Sequence, residues 1–164
     1  MAEQTIEVSL AKALKLKNRL TGRIAQWTND IKAYNSRQEG AEMIDVPRRF
    51  VERARFIEQL IDLKTAINQV NQPIQKTIYQ LAERKALLAM LSEINTTHGA
   101  VIQYHQQMPV QFVAQLRKEQ LDQERLRIEQ EIDTLQDELD RYNALTTLRV
   151  TADLLQLPAE GSAE

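Results

Sequence analysis

Apolar residues recur along the first part of the chain at alternating spacings of four and three: Ile6, Leu10, Ala13, Lys17, Leu20, Ile24, Trp27, Ile31 and Tyr34. A seam of this period predicts an amphipathic helix over about residues 3–35 with one buried stripe. Its polar member, Lys17, can lay its methylene stem along the seam with its ammonium in water. Gly22 weakens the helix locally by about 1 kcal/mol relative to alanine. Residues Ser36 to Ala41 contain Gly40 and no periodic apolar position, and Pro47 then supplies a fixed φ suited to a helix start, so Ser36 to Val46 reads as a hairpin connection. A second seam follows, with Phe56, Leu60, Leu63, Ile67, Val70 and Ile74 in the same phase and Phe50 and Ile57 widening the face. It predicts a helix over about 47–71, antiparallel to the first, with Gln38-Glu39-Gly40 at the hairpin tip.

Pro73 interrupts this second pattern, although Leu81, Leu88 and Leu91 continue the phase beyond it. Either the helix kinks and continues, or Asn71-Gln72 forms a break and Pro73 starts a helix over about 73–96. The local asparagines favour the break. Asn95-Thr96-Thr97-His98-Gly99 ends that element, with Gly99 in the role of a left-handed cap. Ala100 to Met108 has no helical period, and Val101, Ile102 and Tyr104 suggest an ordered loop. From Pro109 a last helix is expected to run to about 150, with Leu121, Ile128, Ile132, Leu135, Leu139 and Tyr142 in heptad phase and Lys118 and Arg125 as polar breaks. After Asp153 the residues are small and polar, with Pro158 and Gly161, and 153–164 reads as a flexible tail. The fold class expected is all-α: one domain over 1–152, built of long antiparallel helical hairpins with coiled-coil-like packing and no sheet.

Composition supports rods over a sphere. Hydrophobic residues make up 43% of the 164 positions but aromatics only 5%, so the apolar content is aliphatic and spread along helices. The charged fraction is 27% with a net charge of −2, which gives no whole-chain reason to expect nucleic acid or anionic lipid as a partner. Locally the charges segregate: Lys12, Lys15, Lys17, Arg19 and Arg23 lie on the first helix, and Glu129, Glu131, Asp133, Asp137, Glu138 and Asp140 on the last. These faces are expected to meet, within a chain or across an interface. A phosphate-binding strip is the alternative, and it lacks interleaved exposed aromatics.

Candidate chemistry is sparse. Without cysteine there are no disulfides, thiolate nucleophiles or cysteine metal sites. The two histidines, His98 and His105, sit in irregular chain that imposes no ligand geometry, and the carboxylates Glu124, Glu129 and Asp133 lack the Glu-x-x-His pairs of a di-metal bundle. There is no glycine-rich phosphate loop, Gly-x-Ser-x-Gly elbow or His-Glu-x-x-His. No catalytic, cofactor-binding or metal residues are therefore expected, and no cofactor. Trp27, Tyr34 and Tyr142 lie on seams and are expected in the core, where Trp27→Ala would cost about 3–5 kcal/mol if the ring is fully buried. The start of the chain has no basic and apolar leader and the longest apolar run is far too short to span a bilayer, so a cytoplasmic location is expected.

The segments Leu10-Ala11-Lys12-Ala13-Leu14, Asn35-Ser36-Arg37-Gln38-Glu39-Gly40, Ile67-Asn68-Gln69-Val70-Asn71, Leu81-Ala82-Glu83-Arg84-Lys85-Ala86-Leu87, and Leu139-Asp140-Arg141-Tyr142-Asn143 with Thr146 and Thr147, form an ordered set along the chain. In them the chain resembles a bacterial family of helical-hairpin proteins, some labelled septicolysin-like. The Gln-Glu-Gly loop and the Ile-Asn-x-x-Asn segment are the more specific pieces. Lys85 stands where an acid is expected and Ala144 where a tryptophan is common. The resemblance implies a helical fold and no catalytic residues. The expected function is structural: a module that binds copies of itself, most simply as a dimer, or another helical protein, through Leu121, Ile128, Ile132, Leu135, Leu139 and Tyr142. Neither nucleic acid nor membrane is expected as a partner. The alternative is the membrane-active, toxin-related role that the family label suggests.

Overall fold

The computed structural model describes residues 4–40, 44–102 and 108–156. These form two compact units, one of residues 1–73 with 141–164 and the other of residues 74–140. The described structure is mostly helical, but it contains two small antiparallel sheets, which corrects the expectation of no sheet.

The first unit begins with strand β1 (Thr5–Ser9), followed by helix α1 (Leu10–Tyr34) and helix α2 (Val46–Asn71). Residues Thr5-Ile6-Glu7-Val8-Ser9 alternate polar and apolar, the period of a half-buried strand. Ile6 therefore belongs to a strand, and the first helix starts at Leu10, not near residue 3. Ser9 caps it, its hydroxyl accepting from the Lys12 amide at 3.3 Å. At the head of α2 the Asp45 carboxylate accepts from the Arg48 amide at 3.0 Å, and Pro47 occupies the first turn. Gly40, with φ +86°, lies between the two helices and takes the left-handed conformation that a side chain would strain.

Antiparallel packing of α1 on α2 is fixed along its length. Near the connection Arg49 pairs with Asp30, and the Arg53 Nε donates to the Thr28 hydroxyl at 2.7 Å. Trp27 then stacks on Phe56 with centroids 4.9 Å apart. Farther from the connection lies the core of Leu10, Ala13, Leu16, Leu20, Leu63 and Ile67. A strand near the end of the chain, β2 (Thr147–Thr151), closes that core by pairing antiparallel with β1 in the register Thr5↔Thr151 to Ser9↔Thr147. Leu10 N donates to Thr146 O at 2.7 Å and Ala152 N to Gln4 O at 2.8 Å. The antiparallel alternation then places Ile6↔Val150 and Val8↔Leu148 in the hydrogen-bonded positions between these two bonds. Val8, Leu148 and Val150 face the core, as does Leu154 from the 3-10 turn Ala152–Gln156. Ordered structure thus extends into the segment read as a tail. The remainder of it, with Pro158 and Gly161, lies outside the described residues.

A 3-10 turn, Gln72–Ile74, separates α2 from helix α3 (Gln75–Glu93). Neither reading at Pro73 is met as stated: Asn71 closes α2, Gln72 is helical (φ −51°, ψ −46°), and the 3-10 turn leads directly into α3, which starts at Gln75 and not at Pro73. The second unit pairs α3 with helix α4 (Lys118–Leu145) in antiparallel fashion: Thr77 donates to Glu138 at 3.2 Å, Arg84 to Glu131 at 2.5 Å, and Leu91 packs with Leu121 and Ile128. α4 is shorter at both ends than the 109–150 expected. Residues Val110–Phe112 form a strand (β4) paired with Gly99–Val101 (β3), and residues 147–151 belong to β2. Gly99 has φ +91° but opens a strand; α3 ends earlier, with Ile94 in the extended region at its C-cap.

Two stability effects follow. Trp27 is only half-buried, so the cost of Trp27→Ala should fall to about 1–2 kcal/mol, while Leu20→Ala, fully buried, should cost about 2–5 kcal/mol. Urea denaturation of both variants should rank the smaller residue as the more damaging loss. The Tyr142 hydroxyl donates to Val70 O at 2.6 Å, so Tyr142→Phe should cost about 1–2 kcal/mol by leaving that carbonyl without its partner. A midpoint unchanged from the parent would show that the bond contributes nothing.

Candidate interaction surface

The six residues of the predicted α4 seam do not share one environment. Leu121 and Ile128 are buried against Leu91, with Leu87, Leu88, Ile94 and Ile132 packed around them. Leu135 and Leu139 are half-buried, and Leu135 lines a shallow groove with Gln80, Arg84, Gln130 and Thr134. Tyr142 belongs to the first unit, packing on its core and bonding to Val70. The structure thus brings Leu121, Ile128 and Ile132 together as the inside of the α3–α4 hairpin. Most of the seam is covered within the chain, so it offers little free apolar surface to a partner.

The free apolar surface lies elsewhere. The segment between α3 and α4 carries Ile102 at 76% exposure, Met108 at 79%, Val113 at 80% and Leu116 at 51%, with Met90 and Leu126 exposed on the flanking helices. Of the large apolar residues exposed among the described residues, half lie between positions 90 and 126. The β3–β4 ribbon in their midst has three residues per strand and pairs with no further strand among the described residues, a size that is marginal alone in water. A smaller exposed group sits at the start of α2, where Phe50 and Val51 border a groove with Ile31, Val46 and Pro47. The helical period places the ribbon residues in an ordered loop and the start of a helix, and the structure differs at both. The alternation Val110-Gln111-Phe112 is the signal that could have located the second strand.

Charged residues on the helices fall into two sets. On the α3 side of α4, Arg127 bridges Glu124, at 2.5 Å, and Glu131, which also accepts from Arg84. The Arg127 hydrogen bond holds the Glu124 carboxyl below the usual carboxylate range. The outer acids Glu129, Asp133 and Asp137 are exposed and in no ion pair among the described residues, as are Lys12 and Lys15 on α1. Arg23 lies over the Trp27 ring at 5.9 Å, and Arg37 over Tyr34 at 3.9 Å.

A pocket between α2 and the β1–β2 sheet is lined by Thr5, Gln59, Asp62, Arg149 and Thr151. Gln59 Oε1 and Thr151 Oγ1 are buried there without hydrogen-bond partners. His98 accepts from the Ala114 amide through Nδ1 at 3.2 Å, tying the ribbon's two flanks together. His105 and Tyr104 lie outside the described residues. No group of three or more His, Asp or Glu side chains among the described residues is placed to hold a metal ion. Comparison of the chain with family models, with curated proteins and with solved structures finds no match.

Titration of Glu124 tests the ion-pair reading. Its depressed pKa means that its contribution to stability is present at neutral pH and is lost as pH falls through the folded value. In Arg127→Gln the Glu124 carboxyl, followed by NMR, should titrate at higher pH than in the parent; an unchanged midpoint would remove Arg127 as the cause.

Proposed function

We propose that the protein is a structural module that assembles with copies of itself, its helices packing in coiled-coil fashion, within the septicolysin-like group that its sequence resembles. The observation that carries this reading is the concentration of exposed Ile102, Met108, Val113 and Leu116 around a ribbon too short to be stable alone. Surface of this kind marks an interaction site. A self-interaction is favoured because each chain carries a second exposed apolar group, Phe50 and Val51, that needs the same kind of cover. The role is structural, not catalytic, in keeping with side-chain clusters that pair charges and pack helices. The membrane-active alternative has less support: among the described residues no helix is long and apolar enough to cross a membrane.

Sedimentation equilibrium at micromolar concentration should give a mass above the 18.9 kDa of one chain. The double variant Ile102→Asp, Val113→Asp should weaken association by about tenfold or more without lowering the melting temperature of a dilute sample, since both positions are exposed. A parent that stays at one chain's mass on concentration contradicts the proposal. Flotation of the parent with vesicles, lost in the same variant, would favour the membrane reading instead.

A further inference from the structure

Two charged stripes, on α1 and α4, share one spacing. On α1 the cations Lys12, Lys15, Arg19 and Arg23 are separated by three, four and four residues. On α4 the acids Asp140, Asp137, Asp133 and Glu129, taken from the C-terminal end, are also separated by three, four and four. At 3.6 residues per turn each set falls within an arc of about 80° and runs about 17 Å along its helix. Lys12 and Lys15 are exposed, as are all four acids, while Arg19 and Arg23 are half-buried, and Lys12, Lys15 and Arg19 border a groove with Leu16 and Leu155.

Each stripe also sits at the unfavourable end of its own helix. Lys12 is in the first turn of α1, where no acid is present and the helix dipole is positive. Asp137 and Asp140 lie toward the C-terminal end of α4, which has no basic residue in its last turn and where the dipole is negative. A partner of opposite charge relieves both placements.

We propose that the α1 stripe of one copy docks on the α4 stripe of a second copy, antiparallel, with Lys12 opposite Asp140, Lys15 opposite Asp137, Arg19 opposite Asp133 and Arg23 opposite Glu129. This rests on the self-assembly reading above and names the surface that sets its register. The antiparallel direction keeps all four pairs in step, whereas a parallel one puts the middle two out by one residue, about 1.5 Å. Extending the same register along the helices places Tyr34 opposite Lys118. The start of α2, with exposed Phe50 and Val51, is then carried toward the segment of the second copy that holds Leu116 and Val113. The two exposed apolar groups are thereby brought to each other. Exposed ion pairs contribute little energy singly, so the stripes supply register and direction while apolar contact supplies affinity.

Charge reversal with mixing tests the contact. Lys12→Glu with Lys15→Glu sets two acids opposite Asp140 and Asp137, and Asp137→Lys with Asp140→Lys sets two lysines opposite Lys15 and Lys12, so each variant alone meets like charge at two of the four pairs. Each variant alone should sediment as a single chain at concentrations where the parent assembles, and the equimolar mixture should assemble again. Three results overturn the proposal: both variants assembling as the parent does, which leaves self-assembly standing by another surface; a mixture that stays dispersed; or a parent that is a single chain throughout, which removes the assembly reading as well. If circular dichroism shows either reversed variant unfolded, single cysteines decide, because the chain has none of its own. A short bis-maleimide should then link Lys15→Cys to Asp137→Cys in a mixture of the two into a species of twice one chain's mass, and no such species overturns the contact.

Discussion

Pairing of β1 with β2 is the interaction on which the first unit depends. These strands lie near opposite ends of the described chain, and bringing them together carries the loop-closure entropy of more than a hundred intervening residues. The cost is offset because the strands contribute Val8, Leu148 and Val150 to the same core as α1 and α2, and because Leu154 follows immediately behind them. Neither the α1–α2 hairpin nor the two strands could bury these faces alone. The pairing also sets where α1 begins, since Ser9 is at once the last strand residue and the N-cap, and where α4 ends, since Thr146 O accepts from Leu10 N.

The second unit is held differently. Its core is small, built on Leu91, Leu121 and Ile128, and much of its hairpin is joined by polar contacts: Thr77 to Glu138, Arg84 to Glu131, Lys85 to Gln136. Charge pairs at partly exposed positions specify register better than they stabilise. A hairpin so held, ending in a short ribbon with exposed Ile102, Met108 and Val113, is the part of the molecule with most to gain from covering apolar surface against another chain. Local opening should concentrate there as well, since local stability follows the density of buried contacts.

Heptad spacing made the four helices and the antiparallel α1–α2 hairpin legible in the sequence, because a 3.6-residue period repeated over many turns is hard to produce otherwise. The strands were hidden for a specific reason. Ile6 stands four residues before Leu10 and so fits the helical seam, while the alternation Thr5-Ile6-Glu7-Val8-Ser9 is too short to override it. Leu148 and Val150 lie just beyond the long periodic run of α4, where Thr146 and Thr147 are the one sign of a change. The α4 seam is expected to face another chain, but periodicity cannot say whether a stripe is covered by the same chain or another. Its inner members, Leu121 and Ile128, went to α3. The ribbon surface was missed because exposure of Ile102 or Val113 is a property of the fold and leaves no periodic trace.

Amide hydrogen exchange at two protein concentrations addresses both halves of this account in one measurement. The hydrogen-bonded strand amides of Ile6, Val8, Leu148 and Val150 should exchange only by global unfolding of the first unit, at a rate independent of concentration. The ribbon amides of Val101 and Val110 should exchange by local opening when dilute and gain protection as the protein is concentrated. Strand amides that exchange by local opening, or ribbon amides indifferent to concentration, would contradict it.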